Sequence, residues 1–111
     1  MAYDEDLAER IRDEIGPRGD VVERKMFGGL AFMVGGHLAV AAGGERDMLV
    51  RVDAEGWERI ISAGEAEAME MRGTPMTGWL RVAAAAVADE AGLRRWVETG
   101  VGYADSLPPK T

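Results

Sequence analysis

Cysteine is absent from the 111 residues of this chain. That absence excludes a disulfide scaffold, a thiolate nucleophile, a cysteine-held iron–sulfur cluster and every cysteine zinc site. Asn and Gln are missing as well, and Lys supplies only two of the thirteen basic residues. Arg, Ala and Gly are abundant instead, the skew of a GC-rich genome, and it carries no functional message. Aromatics make up 6% of the chain, so a core has to be assembled from aliphatic side chains and Met. One histidine, His37, and two serines, Ser62 and Ser106, leave little material for a catalytic triad. Neither serine lies in a G-x-S-x-G elbow.

Long apolar runs are lacking too. The stretch Met26 to Gly44 is nearly uncharged, but glycine pairs interrupt it, which makes a poor membrane helix. The acidic opening Met1-Ala2-Tyr3-Asp4-Glu5-Asp6 has neither the basic region nor the apolar run of a signal peptide. The expected location is the cytoplasm, with no membrane partner. A net charge of −7 argues against a domain devoted to coating nucleic acid. At 47% hydrophobic and 30% charged the composition is that of a folded globular chain, and its length suits one domain over 1–111.

Hydrophobic spacing predicts a helix over residues 4–15: Leu7, Ala8, Ile11 and Ile15 share a face, Asp4 is a natural N-cap, and Gly16-Pro17 ends the element. Three glycine pairs follow, Gly28-Gly29, Gly35-Gly36 and Gly43-Gly44. Each reads as a two-residue hairpin link, because primed turns need positive φ. The intervals Val21 to Phe27, Leu30 to Val34, His37 to Ala42 and Met48 to Val52 then form a meander of about four strands. The strand carrying Phe32 is apolar on both faces, so it is expected to be central and covered on both sides.

Asp53 caps a second predicted helix with Trp57, Ile60 and Ile61 on one face and Gly64 at its end. Ala68 to Met71 and Trp79 to Val82 read as two more strands flanking a Gly73 to Gly78 link. A last helix starts near Asp89, with Leu93, Trp96, Val97, Val101 and Ala104 as its apolar stripe, and Pro108-Pro109 stops it. Ala83 to Ala88 fits either the strand end or the lead into that helix. The fold class is α+β, an antiparallel meander flanked by helices in the order α-β(3-4)-α-β(2)-α.

Arg24-Lys25-Met26-Phe27-Gly28-Gly29, Phe32-Met33 with the Gly35-Gly36-His37 turn, Met48-Leu49-Val50-Arg51-Val52, Gly73-Thr74-Pro75-Met76 with Gly78-Trp79, and Leu107-Pro108-Pro109-Lys110 occur in this order. Over residues 7 to 110 the chain thereby resembles the N-terminal domain of the TfoX/Sxy competence regulators. The resemblance implies an α+β domain similar to secretion-chaperone-like proteins. It also implies kinship with transcriptional co-regulators that act beside a catabolite-activator-type protein. Larger regulators add a C-terminal helical domain associated with nucleic-acid contact, and this chain is expected to be a single-domain member.

The residues themselves offer few catalytic constellations. No G-x-G-x-x-G or P-loop is present, since Gly100-Val101-Gly102 meets Asp105 where a third glycine belongs. His37 follows a turn, where a polar residue entering a strand is ordinary, and no H-E-x-x-H or EF-hand spacing gives it metal-binding company. Glu65, Glu67, Glu70 and Asp89-Glu90 read as solvated faces near helix ends rather than a glycosidase pair. No catalytic, cofactor or metal residue is assigned, and no enzyme activity is expected.

The cations are the more informative set. Arg24, Lys25, Arg51, Arg72 and Arg81 fall on or beside expected strands, whereas the helices hold most of the acids. Strand-borne arginines ordinarily pair with acids across the sheet. Gathered on one face, they would meet an acidic protein, a nucleic-acid backbone or a phosphorylated ligand. Met26, Met33, Met48, Met69, Met71 and Met76 are core candidates or the lining of an adaptable groove, and Trp79 beside Met76 is an interface candidate. The expected binding surface comprises Arg24, Lys25, Arg51, Arg72, Arg81, Trp79, Met76 and His37. The expected function is a non-enzymatic regulatory adaptor: a homodimer that binds a protein of the transcription machinery. Nucleic-acid or phosphate binding through the cations is the alternative, and an enzyme of unrecognised class using His37 is the third reading.

Overall fold

The computed structural model describes residues 3–26, 28–44 and 47–109. Phe27, the end of the first expected strand, and Lys110, in the closing motif, lie outside these residues. The first helix, α1, spans Glu5–Ile15 and buries Leu7, Ala8 and Ile11. The Asp4 carboxylate accepts from the Leu7 N–H at 3.2 Å, Glu5 and Asp6 complement the dipole, and Gly16 at φ 75° ends the helix.

Four strands follow: β1 (Val21–Met26), β2 (Gly29–Val34), β3 (His37–Ala42) and β4 (Met48–Arg51). Helix α2 (Ala54–Ser62) begins where Asp53 accepts from the Gly56 N–H at 2.7 Å. Strands β5 (Glu67–Met71) and β6 (Thr74–Val82) come next, then a 3-10 turn over Ala84–Val87. Helix α3 (Glu90–Ser106) is capped by Asp89, which accepts from the Gly92 N–H at 2.8 Å. The alanine-rich segment is therefore neither strand nor α-helix. All pairings are antiparallel, in one six-stranded sheet ordered β1-β2-β3-β4-β6-β5. Through α2 the chain crosses to the outer edge and returns to lay β6 beside β4.

Only one glycine pair acts as a two-residue link. Gly35 and Gly36, at φ 59° and 86°, close Val34 onto His37. Gly29 instead belongs to β2, paired with Met26, where a side chain would strike the Ala42 carbonyl. Gly43-Gly44 opens a longer link, tied by Gly43 N–H to the Asp47 carbonyl at 2.8 Å. The expected Gly73 to Gly78 link is also corrected. Arg72 and Gly73, at φ 55° and 80°, form the turn, and β6 is already extended at Thr74. Pro75 is tolerated because β4 pairs only as far as Trp79, leaving this end of β6 with one neighbour.

All three helices pack on one face. Leu7 and Ile11 of α1, Ile60 of α2 and Leu93, Trp96 and Val97 of α3 share a cluster with Leu30, Phe32, Val40, Met48, Val50, Leu80 and Val82 of the sheet. The opposite face holds a cluster drawn from strands alone: Ala31, Leu38, Ala41 and Leu49, with Met26, Met33, Met69 and Trp79 packed against it. β2 is thus buried on both faces, as its sequence suggests. Its second cover consists of neighbouring strand side chains, not a layer of helices.

Candidate functional site

The helix-free face is where strand alternation gathers distinctive side chains. Partners in register share a face, so Arg24 (opposite Ala31) and Arg81 (opposite Leu49) emerge on it, while Arg51, opposite Trp79 at the end of β4, carries its guanidinium round to Tyr103 of α3. Lys25, opposite Leu30, emerges on the helix side. Arg72 stands in the β5–β6 turn at the rim. Half-buried Met26, Met33 and Met69 line the floor over buried Ala31, Leu38, Ala41 and Leu49.

These cations differ in their partners. Arg81 Nε lies 2.5 Å from Asp47 Oδ2, the cross-sheet pairing expected of a strand-borne arginine. Arg51 has no acid partner among the described residues: its guanidinium sits 4.8 Å from the Trp79 ring centroid and 5.7 Å from that of Tyr103 on α3. Its Nε is buried with no hydrogen-bond partner. Stacking between two rings holds the planar group in place while part of its donor capacity stays unused. Among the described residues Arg24, Lys25 and Arg72 are exposed and make no ion pair.

The remaining expected residues scatter. Met76 is half-buried on the stretch of β6 beyond β4. Trp79 is half-buried on the helix-free face, and its carbonyl accepts from Trp57 Nε1 at 3.0 Å, fixing α2 to the sheet. His37 begins β3 on the helix side and places Nε2 2.6 Å from the Pro108 carbonyl, so Nε2 carries the proton. It ties the segment after α3 to the end of β3. The carboxylates divide. Glu65 pairs with Arg95 at 2.9 Å, Asp89 caps α3, and Glu67 and Glu70 line an open cleft of about 490 Å³ with Asp47, Leu49, Met69 and Arg81. Among the described residues no three His, Asp or Glu side chains are placed to hold a metal ion.

Sequence reading missed several contacts. Tyr103, near the end of α3 and outside its apolar stripe, gives no local sign that it reaches Arg51. Arg12 donates to both Glu23 oxygens at 2.6 and 2.8 Å and holds that carboxyl below its ordinary value. Arg18 likewise bridges Asp20 and Asp105, and its hydrogen bonds to Asp105 lower that carboxyl. These pairs join segments 11 and 87 residues apart, a separation that no motif announces.

The face therefore combines an adaptable apolar floor with Arg24, which has no acid partner among the described residues, and carries Glu67 and Arg81 toward β5, on a molecule whose net charge is −7. No helix of the described residues is long and apolar enough to cross a membrane. A family model described as the TfoX N-terminal domain matches residues 13–104. No curated protein matches the chain.

Proposed function

The chain belongs to the TfoX N-terminal domain family, a competence-regulator-like domain and not a known enzyme family, and on that premise we propose that it is a cytoplasmic, non-enzymatic regulatory adaptor. Its helix-free sheet face takes an amphipathic acidic segment of a protein in the transcription machinery. The observation that carries this reading is the company of Met26, Met33 and Met69 with exposed Arg24 on one face, with Arg51 held at the end of β4 between Trp79 and Tyr103. Methionine fills irregular gaps and adapts to different ligands. The two guanidiniums supply the charge that selects an acidic ligand. A nucleic-acid backbone is less well matched, because Arg81 is occupied by Asp47 and Lys25 faces the other side.

The test uses a synthetic peptide with leucines at helical spacing and glutamates elsewhere, titrated into methyl-labelled protein. Shifts confined to the Met26, Met33 and Met69 methyls, with binding weakened about tenfold by Arg51→Glu, are the expected result. Shifts on α1 or α3, or Arg51→Glu binding as tightly as the parent, would refute the reading. A short DNA duplex serves as the competing probe. Binding that it wins, with a steep loss as salt rises, assigns the face to nucleic acid instead.

A further inference from the structure

We propose that the free edge of β1 pairs with the same edge of a second copy of this chain, in one defined antiparallel register centred on Arg24. An unbroken ladder singles out this edge. β1 pairs with β2 without interruption over all six of its residues, whereas the other edge strand, β5, carries an irregularity between Ala68 and Glu70. Bulges blunt an edge, and β1 lacks one. Val22, at 55% exposure, is also one of the two large apolar side chains left exposed among the described residues.

The ladder fixes which residues can bond outward. Gly35 N–H donates to the Asp20 carbonyl at 3.1 Å, so alternation turns the peptide groups of Val22, Arg24 and Met26 toward β2. Those of Val21, Glu23 and Lys25 point to the open edge. Among the described residues none of these outward groups has a partner.

A two-fold axis must oppose outward-bonding residues to one another and keep the two helix layers on one side. Centring on Arg24 does both. It sets Glu23 opposite Lys25 and Lys25 opposite Glu23 on the helix side, and Val22 opposite Met26 twice on the helix-free side. Among the described residues Lys25 has no ion pair, and Glu23 already holds Arg12, so a second cation completes an Arg–Glu–Lys cluster. Centring on Glu23 or on Lys25 opposes like charges and forms no complementary pair. The one unfavourable contact is Arg24 against Arg24, which places two acid-free guanidiniums at the middle of the joined face. This inference stands apart from the proposed function, because association is read by mass and peptide binding by methyl shifts.

The cysteine-free sequence makes an introduced thiol a clean reporter. Arg24→Cys lies on the axis and is expected to crosslink two copies under mild oxidation, since directly opposed non-hydrogen-bonded residues sit close. Val22→Cys lies roughly 13 Å along the strand from its counterpart and is expected not to crosslink. Sedimentation of the parent across a concentration series should show dimer. Lys25→Glu should raise the dimer dissociation constant about tenfold, and Arg24→Thr should lower it. A parent that stays monomeric, a Lys25→Glu variant that dimerises like the parent, or Val22→Cys crosslinking as fast as Arg24→Cys would overturn the proposal.

Discussion

Replacing Gly100 by Ala and, separately, Gly102 by Ala gives two variants of one helix whose stabilities are expected to move in opposite directions. In a helix interior Ala is favoured over Gly by roughly 0.8–1 kcal/mol. At Gly102 a new Cβ meets nothing within 4 Å, so most of that gain is realised. At Gly100 the same Cβ is driven against the Ala39 carbonyl and Val40 Cγ1 of β3. This is the close seat of α3 on the middle of the sheet, and a strand carbonyl cannot swing aside as a long side chain does. Overpacking of this kind costs about 1–3 kcal/mol. A clash with backbone takes the upper part of that range, about 2–3 kcal/mol, so set against the propensity gain the net loss is about 1–2 kcal/mol. A change of 1 kcal/mol moves Tm by about 4–8 °C in a domain near this size. Gly100→Ala should therefore melt lower than the parent by at least a few degrees, and Gly102→Ala should melt higher. Thermal and urea unfolding by circular dichroism measure both, with an unchanged urea slope showing that the effect is on stability. Equal or raised stability of Gly100→Ala would refute the reasoning, because it would mean that α3 is not seated through that glycine.

Two further expectations rest on single contacts. Arg72 holds φ at 55°, a conformation that costs an L-residue about 1–2 kcal/mol, so Arg72→Gly should hold or raise Tm whereas Arg72→Val lowers it; a large loss with Gly would show that the side chain anchors the turn. Glu23 and Asp105 have folded-state values below their ordinary ones because Arg12 and Arg18 donate to them. The stability they contribute is thus present above about pH 4 and is lost as pH falls through the lowered values. The double variant Glu23→Gln, Asp105→Asn should show a smaller drop in urea midpoint between pH 7 and pH 3 than the parent. An identical drop would show that neither pair contributes.

Much of the fold is legible because its determinants are local. Asp4, Asp53 and Asp89 each stand one residue before a helical stripe and cap the helix they begin. The Gly35-Gly36 turn follows from the backbone freedom of two glycines. Motifs spread over the chain also sufficed to point to its family. The β5–β6 turn was not legible, since nothing about an arginine announces a positive φ. Grouping Lys25 with Arg24 overlooked the period of two that sends neighbours on a strand to opposite faces.

The sequence by itself determined where the three helices begin, the turn at Gly35-Gly36 and which stripes are apolar, since capping, periodicity and turn chemistry act within a few residues. Only the tertiary structure decided that β6 enters the sheet beside β4 and that all three helices choose one face. It also decided that Arg81 finds Asp47 while Arg51 is left between Trp79 and Tyr103. Those outcomes depend on which distant segments meet, and that is settled by burying the whole apolar surface at once. The helix-free face and the seat of Arg51 are therefore properties of the assembled sheet, not of any stretch of the chain.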